Sequence, residues 1–125
     1  MSTDCRIFVG LTMELERDIR SFQKVHEFED KYPELDIYNH RRDEREGKLL
    51  LISDGMSGDF VRLIKVDKII EGGTLGDSQE FYELAAPDQV FDPDLIAKMK
   101  ALYEEYTGKP ATLKDFKYAL WSQWT

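Results

Sequence analysis

DPDLIAKMKALYEEYTGKPATLKDFKYALWSQW, running from Asp92 to Trp124, is the stretch on which the fold reading turns. Asp92 suits a helix N-cap, and Pro93 suits the first helical position, where a missing N–H costs nothing. Leu95, Ile96, Met99, Leu102, Tyr103 and Tyr106 recur at three- and four-residue spacing and make one apolar stripe. Gly108 is placed for a left-handed C′ residue, and Pro110 blocks continuation. Thr112 with Asp115 three residues on resembles a capping box, which predicts a second helix. Leu113, Phe116, Leu120 and Trp124 would share one face of it, with Trp121 beside them. A short link between two helices predicts a helical hairpin.

Upstream of the hairpin the pattern changes to β. Gln79 to Ala85 reads as a strand, and Gly72–Ser78 before it as a flexible loop. Phe60 to Ile70 is β-rich but does not keep strict parity, so either both faces are covered or a bulge switches them. Lys48 to Ser53 carries Leu49-Leu50-Leu51-Ile52, a strand covered on both sides. The turn cluster Asp54–Asp59 joins these two into an antiparallel hairpin. Leu35 to Arg41 alternates and predicts another strand, followed by the charged connection Arg41–Gly47. Leu15, Ile19, Phe22, Val25, Phe28 and Tyr32 predict a helix capped by Thr12 and stopped at Pro33. Cys5 to Leu11 predicts a short buried strand.

The resulting order is β-α-β-β-β-β-α-α. It predicts a single α+β domain over residues 1–125, a mainly antiparallel sheet of about five strands with helices packed on one face. The chain has 125 residues, 42% hydrophobic and 12% aromatic, enough for a core without a metal or disulfide staple.

Charge and cysteine content narrow the function classes. A net charge of −8 repels nucleic-acid backbones and anionic membranes, so neither is expected as a partner. One cysteine, no long apolar run and no basic leader predict a cytoplasmic protein.

Catalytic and cofactor signatures fall short. Gly72-Gly73-x-x-Gly76 is followed by a strand rather than a helix N-terminus, so a phosphate cradle is not expected. Asp54 and Asp59 lack the spacing of a calcium loop. His26, His40 and Cys5 do not form a local zinc set, and Cys5 beside a histidine is a weak nucleophile candidate. No catalytic residue, metal site or cofactor is therefore expected. Two surfaces remain. Tyr38, His40 and Arg42 lie in the one basic concentration of an acidic chain, as candidates for binding a small ligand. Phe116, Trp121 and Trp124 are candidate interface anchors. The reading that follows is a small acidic binding or interaction protein without catalysis, acting by self-association, such as a homodimer, or by engaging a basic protein partner. The alternative is a small-ligand-binding domain or enzyme with a pocket near Tyr38, His40 and Arg42.

Overall fold

The computed structural model describes residues 5–17, 22–54, 60–71, 81–87 and 92–124. Its elements are β1 (Cys5–Arg17), α1 (Gln23–Lys31), β2 (Leu49–Asp54), β3 (Phe60–Glu71), β4 (Phe81–Glu83), α2 (Pro93–Thr107) and β5 (Lys117–Trp124). The five strands form one sheet in the order β2-β3-β1-β5-β4, with every neighbouring pair antiparallel. The α+β class and the mainly antiparallel five-stranded sheet are as the sequence predicts.

β1 is the central strand and runs past the expected helix start at Thr12. Leu11, Met13 and Leu15 alternate with Thr12, Glu14 and Glu16, and Met13 is fully buried. A period of two fits a strand, and β1 pairs with β3 to its end at Arg17 and with β5 over Cys5–Thr12. The Thr12 hydroxyl donates to the Leu63 carbonyl at 3.0 Å instead of capping a helix. The helix begins only at Gln23, with Val25 and Phe28 buried. Ile19 and Arg20 lie outside the described residues.

Two irregularities shape β1. Val9 pairs with Lys68 and Gly10 with Val66, which leaves Asp67 as an extra residue on β3. This is a parity switch of the kind the sequence of β3 implies. Glu14 pairs with Arg62 and Glu16 with Val61, so Leu15 is the extra residue on the other side.

The last strand overturns the expected second C-terminal helix. Thr112 and Asp115 do form the reciprocal cap, but it closes only one 3-10 turn, Leu113–Asp115. Phe116 then leaves that turn in extended conformation, and Lys117–Trp124 pairs with β1 from Thr12 to Cys5. A capping box satisfies the first N–H groups of any helical turn, so it does not specify how many turns follow. Tyr118, Trp121 and Trp124 are β-formers, and a central strand with an open edge claims them. The expected strand over Leu35–Arg41 is also replaced. Pro33–Leu35, Ile37–Asn39 and Arg42–Glu44 are 3-10 turns, and Asp36 makes an isolated parallel bridge to Leu51. The loop at Gly72–Ser78 and the turn from Gly55 to Asp59 lie outside the described residues.

α2 follows its expectation closely. The Asp92 carboxylate accepts from Asp94 N–H at 3.0 Å, and Gly108 is left-handed at φ 71°. Both helices cover one face of the sheet. Val25 and Phe28 from α1 and Met99, Leu102, Tyr103 and Tyr106 from α2 pack on Leu11, Met13, Leu15, Val61, Leu63 and Phe116. The opposite face buries Phe8, Leu50, Ile52, Ile64, Val66 and Ala119, with Ile37 lying across it. Each such fully buried side chain stabilises the fold by about 1.5–3 kcal/mol before chain entropy is counted.

Gly10 sits beside the β1–β3 register shift, close against the β3 backbone. A Cβ there would stand 2.0 Å from the Lys65 carbonyl oxygen, a backbone atom that cannot move aside alone. Gly10→Ala is therefore expected to destabilise the fold by about 3 kcal/mol. Chemical denaturation checks this; a loss below a third of that value would show that the ladder yields at this point.

Candidate interaction surface

The segment from Pro33 to Lys48 wraps the outer edge of β2. Its local sequence dictates its path. Pro33 starts a turn as soon as α1 ends, and Leu35 is driven into the helix-covered core. Asp36 then caps the next turn, its carboxylate accepting from Tyr38 N–H at 3.0 Å. Ile37 goes to the opposite core. With Leu35 and Ile37 both committed inward, Tyr38 is left in solvent at 74% exposure.

The segment is tied at many points. The Asn39 side-chain amide donates to the Pro33 carbonyl at 2.9 Å. His40 Nε2 lies 2.7 Å from the Glu34 carbonyl; a carbonyl only accepts, so Nε2 carries the proton. Arg45 is buried and its Nε donates to the Ile37 carbonyl at 3.2 Å. Gly47 N–H donates to Val66, and Val66 N–H to Lys48, extending the β2–β3 ladder. Glu46 accepts from Ile69 N–H at 3.1 Å. Arg41 and Asp43 pair at 3.5 Å in full solvent exposure, which adds little stability.

The candidate residues Tyr38, His40 and Arg42 therefore share one anchored segment. Tyr38 and Arg42 face solvent, while His40 is half-buried with one ring nitrogen committed to the backbone. Phe116 is corrected: at 8% exposure it packs beneath α2, so it is a core residue and not a surface anchor. The backbones of Trp121 and Trp124 pair with Phe8 and Cys5, and their side chains lie outside the described residues. Among the described residues no three His, Cys, Asp or Glu side chains converge to hold a metal.

Sequence reading missed Asp36 and took Arg45 only as part of the basic cluster with Tyr38, His40, Arg41 and Arg42, not as a buried residue that helps to hold the Tyr38 turn. Asp36 had a legible signal in an Asp two residues ahead of the N–H it caps. Arg45 had none, because its burial depends on where Ile37 lands.

Two tyrosine–carboxylate bonds tie further elements together. The Tyr106 phenol donates to Glu16 at 2.7 Å, joining α2 to β1, and the Tyr118 phenol donates to Asp67 at 2.7 Å, joining β5 to the β3 bulge. Burial, then the Asp67 bond, push the Tyr118 phenol up to about 12, and burial with the Glu16 bond raises Tyr106 as well. Both phenols thus hold their protons at neutral pH and act as donors.

No family model, no curated protein and no solved structure matches the chain.

Two measurements follow from this geometry. Tyr38→Ala is expected to change stability by less than about 0.5 kcal/mol, whereas Phe116→Ala is expected to cost about 3–5 kcal/mol, both read by urea denaturation. The folded Tyr118 phenol binds its proton more tightly than the unfolded one. Its stabilising share is fully present below the unfolded value near 10 and is lost as pH rises through about 12. Asp67→Asn removes one of the two causes, so ring-labelled NMR should then show Tyr118 titrating at lower pH.

Proposed function

We propose that this chain is a non-catalytic binding protein that docks a protein partner through the Tyr38 turn. The observation that carries the reading is an aromatic ring standing in solvent on a backbone whose own hydrogen bonds are met locally. An isolated exposed apolar residue is ordinary on any protein surface. Tyr38 differs in being pre-arranged: Leu35, Ile37, Asp36, Asn39, His40 and Arg45 all hold its turn. A pre-arranged tyrosine loses little entropy on docking, which is why tyrosines serve as interface anchors.

Charge favours a partner over a second copy. At −8 the protein repels itself and attracts a basic surface. At the Tyr38 turn Arg41 and Arg42 offset Asp43 and Glu44, so the turn offers a nearly neutral contact within an acidic surround. Nucleic acid and anionic membrane remain disfavoured on the same grounds. Among the described residues no helix is long and apolar enough to cross a membrane. The lone cysteine fits a reducing, cytoplasmic setting. The small-ligand reading has less support, since Tyr38 and Arg42 both stand in solvent.

Site-specific photo-crosslinking in the native host tests the reading. p-Benzoylphenylalanine placed at Tyr38 should give a discrete protein adduct that weakens at high salt. The same group at Leu113, which is 78% exposed on the turn before β5, should not give it. Identical adducts at both positions, or none at Tyr38, would overturn the proposal. Light scattering at micromolar concentration should show a monomer; a dimer lost on Tyr38→Ala would make the partner a second copy.

A further inference from the structure

We propose that the open edge of β4, at the far side of the sheet from the Tyr38 turn, takes up an extended basic segment of a protein partner as a further strand. β4 ends the strand order β2-β3-β1-β5-β4. The two edges of the sheet are finished differently. At β2 the chain after α1 covers the edge, with Asp36 bridging Leu51. Among the described residues nothing pairs with the outer side of β4. Leu84 N–H donates to the Tyr118 carbonyl at 2.7 Å, and two residues earlier Tyr82 pairs with Leu120. Inward and outward groups alternate along an antiparallel strand, so the N–H and C=O of Glu83 turn away from β5. Outward backbone groups on an edge strand are a template for another chain.

Proteins ordinarily blunt such an edge with lysine, proline or a bulge. Phe81-Tyr82-Glu83-Leu84-Ala85 has neither lysine nor proline, and β4 keeps regular register with β5. Tyr82 is 47% exposed and Leu84 36%.

The side chains along this edge define what the added strand carries. Tyr82 and Leu84 stand beside Leu120 and Tyr118, on the face that the helices cover further along. Glu83 pairs with Ala119 and lies on the opposite face, its carboxylate 3.5 Å from Lys117 and 61% exposed. A strand laid against β4 sets apolar residues beside Tyr82 and Leu84 and a cation beside Glu83, so apolar and basic residues alternate in it. The charge pattern agrees. From Ile69 to Ala97 the sequence has seven acidic residues and no Lys, Arg or His, which is nearly all of the net charge of −8. That charge attracts a basic segment and repels the same edge of a second copy, so self-pairing is disfavoured.

The test is an NMR titration of the whole isotope-labelled chain with a synthetic peptide in which Lys and Val alternate over about eight residues. At saturation hydrogen exchange at the Glu83 amide should slow by at least about tenfold, because that N–H is then paired. The same peptide with every backbone nitrogen methylated keeps its charge but cannot pair, and should bind at least about tenfold more weakly. A peptide alternating Glu with Val should not bind. Glu83→Lys, at an exposed position, should weaken the Lys–Val peptide about fivefold, and Tyr38→Ala should leave its binding unchanged. Equal binding of the methylated peptide overturns the proposal, because bulk charge then suffices. Absence of Lys–Val binding, unchanged Glu83 exchange at saturation, equal binding of the Glu–Val peptide, indifference to Glu83→Lys, or loss of binding on Tyr38→Ala also overturns it. If Glu83→Lys fails to fold, the peptides compared on the unaltered chain still decide the matter. This surface is separate from the Tyr38 turn, so failure here leaves the crosslinking result at Tyr38 untouched.

Discussion

The pairing of β1 on both of its edges is the constraint on which the molecule depends. From Cys5 to Arg17 this strand supplies one edge to β3 and, over Cys5–Thr12, the other to β5. Its partners come from the middle and the end of the chain, so the sheet exists only when remote segments meet. Such contacts are costly in loop entropy before they stabilise anything. Gly10 marks how tight the meeting is, since the β3 backbone occupies the space a side chain would need.

Much of the remaining architecture follows from that strand. With β1 central, Leu11, Met13 and Leu15 offer a continuous apolar strip, and α1 and α2 bury their stripes on it. The Tyr106–Glu16 bond then fastens α2 to β1, and the Tyr118–Asp67 bond ties β5 to β3. Because β2 is an outer strand, something must cover its edge, and the chain after α1 does so with 3-10 turns and one backbone bridge. Tyr38 stands in solvent as a result of that edge cover.

How legible each piece was depended on whether its partners are local. α2 could be read closely, because Asp92, Pro93, Gly108 and the spacing from Leu95 to Tyr106 act within the segment itself. The β2–β3 hairpin could be read for the same reason. The stretch from Thr12 to Arg17 could not. Its Met13 and Leu15 fit a helix stripe and a strand face alike, and only the presence of β3, paired with β1 through Arg17, chooses between them. The Thr112–Asp115 cap was real but closed a single turn. In Leu35–Arg41 the alternation did mark two inward residues, yet Leu35 and Ile37 reach different cores through turns rather than along a strand.

The candidate surface shows the same division. Composition and charge pointed to Tyr38, His40 and Arg42 as an unusual cluster in an acidic chain, and the turn chemistry of Asp36 was there to be read. Sequence alone determined the α+β class, the capped helix α2, the hairpin and the acidic character, because these rest on periodicity, capping and charge within short windows. Only the tertiary structure decided that the C-terminal segment is a strand, that Phe116 is core, and that Tyr38 is exposed on a turn anchored by buried Arg45. Those outcomes depend on which remote backbone satisfies which hydrogen bond, and no local window contains that information.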